Sequence, residues 1–351
     1  MSPLRQEQEE ATDEVVEVAP GVIRTQIPIM FTGLGHVNCY VFEDKRGVAI
    51  MDPGLPGPNS WKVLKDRLRR TGTSLRHVHT VVVTHSHPDH FGQAEKVRQE
   101  TGADFVTSAR FRTWFDAAEP DVDAEVEAET TDPLTRTRSV FSQPTPWGGE
   151  PPTPPVGTGW RSRLRRRLVR RWMLAPQPTT KLEDAEVTRL AGRDWVAVHT
   201  PGHTMDHLCL FDPVEGVLLS GDHVLPSITP HISGLGSSGD PLADYKDSLD
   251  KVAGLEGVTL TLPAHGHPFD DLRGRAHEIR DHHAERLDTL RAAARELGDA
   301  TVEEYSHKLF KPRSWGQMAE SETYAHLEHL RETGEVVSRD EAGTLRYQPV
   351  E

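Results

Sequence analysis

Cysteine is scarce in this sequence, and long apolar runs are absent from it. The chain has two cysteines in 351 residues, Cys39 and Cys209, and both fall within short, strand-like apolar stretches. This placement favours buried thiols in a reducing compartment over a disulfide or a metal-bound pair of thiolates. No apolar run approaches the length of a membrane span, and the acidic, polar residues 6–14 do not have the pattern of a signal peptide. We therefore expect a cytoplasmic protein without a transmembrane segment.

An excess of positive charge is also lacking. The 54 acidic residues outnumber the 40 basic ones and give a formal net charge of −14. A chain of this charge is not steered as a whole toward nucleic acid or anionic membranes, although a local basic patch could still bind either. The length exceeds that of one ordinary compact domain, so we expect one large domain with an appendage.

A concentration of metal-binding side chains lies between residues 80 and 90. Residues 81–83 are all valine, which predicts a buried strand, and the segment His-Ser-His-Pro-Asp-His follows at residues 85–90. Pro88 disfavours a helix at the residue before it, so the helix begins near Asp89. Imidazole and carboxylate groups are ligands of zinc. His85 and His87 can converge on one ion, whereas Asp89 and His90 lie past the bend and suit a second ion.

Three further apolar runs lead to residues of the same type. The run at 196–198 leads to His203, the run at 217–219 leads to Asp222, and the run at 259–262 leads to His265. Active sites of α/β proteins collect at the ends of sheet strands. These side chains are therefore predicted to meet those at residues 85–90.

This order of strands and ligand-type residues closely resembles the metallo-β-lactamase superfamily of metallohydrolases, over roughly residues 15–268. The resemblance implies an α/β protein with a four-layer αββα fold. It also implies two divalent metal ions, most simply zinc, with iron or manganese as alternatives. The implied ligands are His85, His87 and His203 for the first ion, Asp89, His90 and His265 for the second ion, and Asp222 for both.

The predicted reaction is metal-assisted hydrolysis of a small-molecule ester, thioester or lactone, with a hydroxide that bridges the two ions as nucleophile. Asp89 is expected to orient that hydroxide, and His231 is a candidate proton donor to the leaving group. His36 lies in a glycine-flanked loop that faces the active-site mouth in relatives, and it is a candidate for substrate contact. Asp52 follows a predicted strand and either supports the metal ligands or is an ordinary turn residue.

Two other functions stay open on the same resemblance. Asp222 disfavours lactam cleavage, because true β-lactamases of this superfamily lack the bridging aspartate. The alternatives are a single-stranded RNA endonuclease of the β-lactamase-like 2 type and a mononuclear iron oxygenase on the same fold. Salt-sensitive binding of single-stranded RNA would indicate the nuclease. Co-purified iron with an oxygen- or persulfide-dependent activity would indicate the oxygenase.

Two segments lie outside the pattern of the expected catalytic domain, residues 15–298. Residues 1–14 have the composition of a disordered tail. Residues 111–180 are too long for an ordinary loop and predict an insertion or lid. Their arginine-rich part, residues 160–173, could be a helix that binds an anionic substrate, forms a dimer interface, or binds a membrane or nucleic acid.

The C-terminal part predicts a long helix followed by a small module. Residues 272–297 carry charges on all sides, which indicates a solvated connector helix and not a metal site. Residues 299–351 read as helix, helix and hairpin, which resembles the winged-helix extension of β-lactamase-like 2 proteins. Such modules often bind nucleic acid. The second predicted helix is rich in glutamate, so a scaffold or dimer role is at least as well supported.

Overall fold

Two β-sheets packed face to face form the centre of the structure, a computed structural model that describes residues 5–29, 33–113, 144–149, 177–235 and 239–350. Within these residues the first sheet has seven strands in sequence order. The strands are β1 (Val15–Ala19), β2 (Val22–Pro28), β3 (His36–Asp44), β4 (Gly47–Met51), β5 (Val78–Val82), β6 (Asp104–Ser108) and β7 (Thr180–Leu182). Neighbours from β1 to β4 pair antiparallel, and neighbours from β4 to β7 pair parallel.

The second sheet has five strands in the described residues, in the order β12, β11, β10, β9, β8. The strands are β8 (Val187–Leu190), β9 (Arg193–His199), β10 (Leu208–Asp212), β11 (Val217–Gly221) and β12 (Leu260–Pro263). β11 and β12 are parallel, and the other neighbours are antiparallel. β9, β11 and β12 each lead into one of the predicted ligand turns.

Helices cover the outer faces of both sheets. They are α1 (Pro58–Arg70), α2 (Pro88–Phe91), α3 (Ala94–Thr101), α4 (Pro241–Ala253) and α5 (Leu272–Leu297). Leu64 of α1 and Val97 of α3 share a buried cluster with the outer face of the first sheet. Val252 of α4 and Ile279 of α5 do the same at the second sheet. The order helix, sheet, sheet, helix confirms the predicted αββα fold.

The space between the two sheets is a continuous apolar core. Phe42 of β3 and Trp195 of β9 meet edge to face with ring centroids 5.7 Å apart, and both rings are fully buried. Leu210 and Leu219 of the second sheet lie in the same cluster. Burial of apolar surface stabilises the folded state by about 25 cal/mol per Å², so this layer is a main source of the folding free energy. It holds the ligand-bearing strand ends of the two sheets against each other.

The chain ends in a small module of helices and a third sheet. Its elements are β13 (Ala300–Thr301), α6 (Val302–Leu309), α7 (Gln317–Glu332), β14 (Val336–Glu341) and β15 (Thr344–Pro349). Thr301 caps α6 through a reciprocal pair of contacts with Glu304. The order helix, helix, hairpin is the predicted one. Its assignment to the winged-helix type and the boundary near residue 299 stay predictions.

Helix α5 differs from the predicted solvated connector. From Leu272 to Ala293 its buried residues recur every three or four positions, and with Ala294 they form a continuous face: Leu272, Ala276, Ile279, His283, Leu287, Leu290, Ala293 and Ala294. This face packs against α4 and against α6 and α7 of the module. The prediction is wrong because the many charged residues between these positions conceal a helical periodicity.

The N-terminal segment also differs from its prediction over the residues that the structure describes. Glu7 is completely buried, and its carboxylate accepts hydrogen bonds from the backbone N–H groups of Ser227 and Ile228 at 2.8 and 3.1 Å. Thr12 N–H donates to Gln26 Oε1 at 2.8 Å. Residues 5–14 are therefore held against the catalytic domain and are not a disordered tail.

The predicted insertion at residues 111–180 is described only in part. Its arginine-rich portion, residues 160–173, lies outside the described residues. Trp147 is buried and packs on Tyr324 of α7, with ring centroids 5.2 Å apart. Thr180 begins β7, so the end of the predicted insertion belongs to the first sheet.

Candidate metal centre

The segment after β5 presents the first ligand-type residues. β5 ends at Val82, and Pro88 occupies the first position of α2, so residues 83–87 form a short loop between the two elements. Proline suits this position because it has no N–H to leave unpaired. The sequence thus places His85 and His87 on the loop and Asp89 and His90 on the first helical turn.

One group of side chains, here called the first cluster, consists of His85, His87, His203 and Asp222. His87 Nδ1 lies 3.0 Å from His85 Nε2 and 3.1 Å from His203 Nε2. Asp222 Oδ2 lies 3.8 Å from His85 Nε2 and 3.5 Å from His203 Nε2. Three imidazole nitrogens and one carboxylate oxygen therefore converge on one point.

A second cluster consists of Asp89, His90 and His265. Asp89 Oδ2 lies 3.6 Å from Nε2 of His90 and 3.6 Å from Nε2 of His265. Asp222 reaches this cluster too, with Oδ2 3.5 Å from His90 Nε2 and Oδ1 3.2 Å from His265 Nε2. The structure therefore brings together all seven predicted ligand residues, with Asp222 between the two clusters.

Hydrogen bonds to the outer ring nitrogens fix how these histidines face the centre. His90 Nδ1–H donates to Asp52 Oδ2 at 2.9 Å, and His203 Nδ1–H donates to the backbone oxygen of His231 at 2.8 Å. His265 Nδ1–H donates to the backbone oxygen of His36 at 2.6 Å. With the proton on Nδ1, each Nε2 has its lone pair toward the centre, the arrangement usual for metal-bound histidine.

Asp52 supports the second cluster from a backbone conformation that is rare for residues other than glycine. Its φ is 52°, and its side chain is buried. Besides His90, its carboxylate accepts from the N–H and the hydroxyl of Thr84, at 2.9 and 2.8 Å. Strain of this kind persists where the surroundings fix the residue, as at functional sites. Of the two roles considered for Asp52, the geometry favours support of a ligand.

Asp222 is positioned by His207, which is not one of the predicted ligands. The backbone N–H of Asp222 donates to His207 Nε2 at 3.0 Å, and His207 Nδ1 bonds the Thr200 hydroxyl at 2.7 Å. Gly221 lets this ring approach, because a Cβ at residue 221 would lie 2.5 Å from His207 Nε2. The sequence feature that indicates a close approach at this point is the Gly-Asp pair, residues 221 and 222, at the end of a strand.

The charges of the two clusters are coupled. Burial lowers the pKa of His85 and of His87 well below the ordinary value, and the neighbouring imidazoles lower it further. Burial opposes ionisation of Asp222, yet the charges of His265 and His90 hold the pKa of its carboxyl well below the usual range. Burial also opposes protonation of His90, yet Asp222 and Asp89 raise its pKa well above the ordinary value. The carboxylates thus draw positive charge to the second cluster, as protons or as a cation.

The donor set fits a divalent cation. Asp222 Oδ1 and Nε2 of His90 and His265 are buried and lack a hydrogen-bond partner among the described residues. Each such atom costs about 1–3 kcal/mol when nothing compensates it. Convergence of three of them is readily explained if they are ligands, and imidazole with carboxylate suits zinc and similar borderline ions. The residues of the two clusters therefore fit the divalent metal ions that the sequence predicted.

The two other predicted site residues have different surroundings. His36 is completely buried, its Nδ1–H donates to the Glu9 backbone oxygen at 2.8 Å, and its Nε2 accepts from Gly266 N–H at 3.1 Å. Both ring nitrogens are thus occupied, so His36 supports the loop of His265 and is not placed to contact substrate as predicted. His231 is partly exposed, and its Nδ1–H donates to Glu322 Oε2 of α7 at 3.3 Å.

Glu322, which accepts the hydrogen bond from His231 near the metal centre, was not predicted from the sequence. It lies 91 positions from His231 and also pairs with Arg286 of α5. A contact of this separation leaves no local pattern in a single sequence.

None of the helices in the described part of the chain has both the length and the apolar character needed to cross a membrane.

Comparison with known proteins assigns the family. The model of the metallo-beta-lactamase superfamily matches residues 32–265, which is more than half of the chain and contains every residue of the two clusters. The chain belongs to the metallo-β-lactamase superfamily. It is a metal-dependent hydrolase of that superfamily.

Three relatives illustrate the similarity. A metallo-beta-lactamase family protein from Thermus thermophilus is 29% identical with a TM-score of 0.73, over 95% of this chain and 100% of that one. The probable metallo-hydrolase YqjP of Bacillus subtilis is 23% identical, over 93% of this chain and 97% of that protein. An atrochrysone carboxyl ACP thioesterase from Paecilomyces divaricatus is 35% identical, but over only 27% of each chain.

Proposed function

We propose that this chain uses two divalent ions, most simply zinc, to hydrolyse a small-molecule thioester, ester or lactone. The observation that carries the proposal is the position of Asp222. Its Oδ2 lies 3.5 Å from Nε2 of His203 in the first cluster and 3.5 Å from Nε2 of His90 in the second. A carboxylate in this place can serve two ions at once, and by family resemblance it disfavours lactam cleavage.

The proposed ligands follow the two clusters. His85, His87 and His203 would hold the first ion, Asp89, His90 and His265 would hold the second, and Asp222 would bind both. When bound, two such ions lower the pKa of a shared water molecule and polarise the carbonyl oxygen of the substrate. Asp89 is partly exposed, with its Oδ2 3.6 Å from both imidazoles of its cluster. Its proposed role is to orient the attacking water by accepting one of its hydrogen bonds.

His231 is proposed to supply the proton that the leaving group needs. As the water oxygen loses a proton to solvent and bonds to the acyl carbon, the C–S or C–O bond breaks, and the departing sulfur or oxygen takes a proton from His231. The His231 backbone oxygen accepts from the metal ligand His203, so the residue lies at the edge of the centre. Its ring is oriented by Glu322, which occupies Nδ1, so Nε2 is the nitrogen proposed to donate to the leaving group.

The thioester is the first substrate class to test, because a relative that matches part of this chain is named as a thioesterase. A panel of acyl thioesters, p-nitrophenyl esters and lactones separates these classes. A single-stranded RNA substrate in the same panel tests the nuclease.

The metal-dependent mechanism is tested by Asp222→Asn and His85→Ala. Both variants should lose metal and hydrolysis together, as measured by elemental analysis and turnover of a thioester. His79→Ala is the matched control, because His79 also pairs with an aspartate, Asp44, at 3.2 Å but lies outside both clusters. Unchanged turnover in both cluster variants would refute the mechanism.

The role of His231 is tested by His231→Gln with two leaving groups. An alkyl thiol or alcohol is a poor leaving group that needs a proton, whereas p-nitrophenolate leaves without one. We expect kcat to fall about 10²- to 10⁴-fold for the poor leaving group and much less for the p-nitrophenyl ester. Equal losses on both substrates would show that His231 acts only by keeping its loop and the hydrogen bond to His203 in place.

A further inference from the structure

A third group of ligand-type side chains lies between helices α5 and α7, outside both clusters. His283 of α5 and Glu322 and His326 of α7 each offer one ligand atom, and these atoms lie within 4.8 Å of one another. Glu322 and His326 are four positions apart on one helix, so they share a face. His283 and His326 are completely buried, and Glu322 is 8% exposed.

The spacing of the two imidazoles matches that of the metal centre. His283 Nδ1 lies 3.0 Å from His326 Nε2. In the first cluster the corresponding nitrogen pairs, both involving His87, are 3.0 and 3.1 Å apart. The third group therefore has the same nitrogen-to-nitrogen spacing as the first cluster.

The protonation state of the group is the one that a metal needs. His326 Nδ1–H donates to the backbone oxygen of Glu322 at 2.7 Å, which leaves the lone pair of Nε2 facing His283. Burial lowers the pKa of His326 to about 4 and that of His283 well below the ordinary value. Burial opposes ionisation of Glu322, yet the hydrogen bond from His231 and the charge of Arg286 bring its pKa to about 2. Two neutral imidazoles and one carboxylate are the protonation states that bind a divalent cation, once the proton between His283 and His326 has moved off the ligand nitrogen His283 Nδ1.

The charged groups next to the third group affect its affinity for a cation. Arg286 pairs with Glu322 Oε1, and His231 lies 3.3 Å from Oε2. Arg286 holds the carboxylate in place, as hydrogen-bond donors do for ligating carboxylates, but its charge also weakens attraction for a cation. Without a cation, His283 Nδ1 and His326 Nε2 share a proton instead. Imidazole ligands select zinc-type ions over calcium or magnesium.

We propose that His283, Glu322 and His326 form a separate site for a zinc-type divalent cation that links α5 to the C-terminal module. Two of the ligands come from α7 and one from α5, so an ion there ties the module to the helix that covers the second sheet. No residue of the two clusters belongs to this site, so its ion does not depend on the proposed metal ligands, although Glu322 also orients His231 in the proposed hydrolysis.

Counting bound zinc tests the proposal. His283→Gln in the full-length protein should hold one zinc ion fewer per chain than the wild type after dialysis against buffer with low zinc. His282→Gln is the matched control, since this neighbouring histidine is not in the group, and it should keep the wild-type count. The difference of one ion is expected whether the catalytic centre holds one ion or two. Equal counts in His283→Gln and the wild type would overturn the proposal.

A measurement on the unaltered protein covers the case in which His283→Gln does not fold. Crystals of the wild type grown with zinc are measured at the zinc absorption edge. We expect an anomalous peak about 2 Å from both His283 Nδ1 and His326 Nε2. Absence of that peak, with zinc peaks present at the catalytic centre, would overturn the proposal. Thioester turnover by His283→Gln distinguishes this result from a failure of the proposed hydrolase.

Discussion

Replacement of Asp52 by asparagine should weaken metal binding at the second cluster by about 10- to 100-fold, which is about 1.4–2.7 kcal/mol. Asparagine has the shape of aspartate and tolerates the left-handed backbone at this position. The change therefore alters hydrogen bonding with little change in volume. The aspartate accepts three hydrogen bonds, and an amide can accept on one side only.

Either orientation of the new amide creates a conflict. With its NH₂ group toward His90, the amide donates to Nδ1, so the proton moves to Nε2, the atom that faces the metal. With its NH₂ group in the place of Oδ1, the amide meets the backbone N–H of Thr84, which lies 2.9 Å from that oxygen. The first orientation removes a ligand, and the second leaves a buried donor unpaired at a cost of about 1–3 kcal/mol.

Competition with a chromogenic chelator measures the zinc affinity of each cluster in Asp52→Asn. Asp44→Asn is the control, because Asp44 pairs with His79 at 3.2 Å and belongs to neither cluster. Circular dichroism checks that both variants fold. Loss of a residue that supports a metal ligand is expected to lower the affinity about tenfold or more. If Asp52→Asn binds the weaker-binding zinc ion within about twofold of the wild-type affinity, Asp52 does not set the tautomer of His90.

Three further changes probe other parts of the structure. Burial raises the pKa of Asp206 to about 6. The native state therefore loses stability as the pH rises from about 4 to about 6 and this carboxyl ionises in the unfolded chain first. In chelator-treated protein, Asp206→Asn should be more stable than the wild type by roughly 3 kcal/mol at about pH 7 and by less at about pH 5. Urea titrations at both values test this, and an equal gain would contradict it. Trp147→Ala removes a buried ring from Tyr324 and should cost about 3–5 kcal/mol; urea unfolding followed by near-ultraviolet circular dichroism measures it, and a cost below about 1 kcal/mol would contradict it. Gly221→Ala places a Cβ 2.5 Å from His207 Nε2 at a φ of 51°, so zinc content and the unfolding midpoint should both fall, and retention of both would contradict the role of Gly221.

The parts of the site that depend on local sequence could be predicted. β5, β9, β11 and β12 are short apolar runs, and each is followed within a few residues by His85, His203, Asp222 or His265. A strand that ends in a turn fixes where the next side chains point, so the pattern of strand and ligand carries the geometry with it. The fold followed from the same pattern through its resemblance to a known family.

The parts that depend on distant contacts could not be predicted. His36 was predicted to contact substrate from a loop, but its place is set by hydrogen bonds with Glu9 and Gly266, which lie 27 and 230 positions away. Helix α5 looked solvated because charged residues separate its buried positions. The helical spacing of Ile279, His283 and Leu287 was present in the sequence, and the number of charges outweighed it.

Segments beyond the family domain contribute to the geometry of the centre. The loop that contains His231 accepts the hydrogen bond that orients His203, so its position matters for the first cluster. Glu7 holds this loop at residues 227 and 228, and the Ser321 hydroxyl of α7 accepts a hydrogen bond from Gly234 N–H at 3.2 Å. Both anchors lie outside residues 32–265, the part that the family model matches. The N-terminal segment and the C-terminal module therefore differ from simple appendages, because they hold from two sides the loop whose His231 backbone oxygen orients His203.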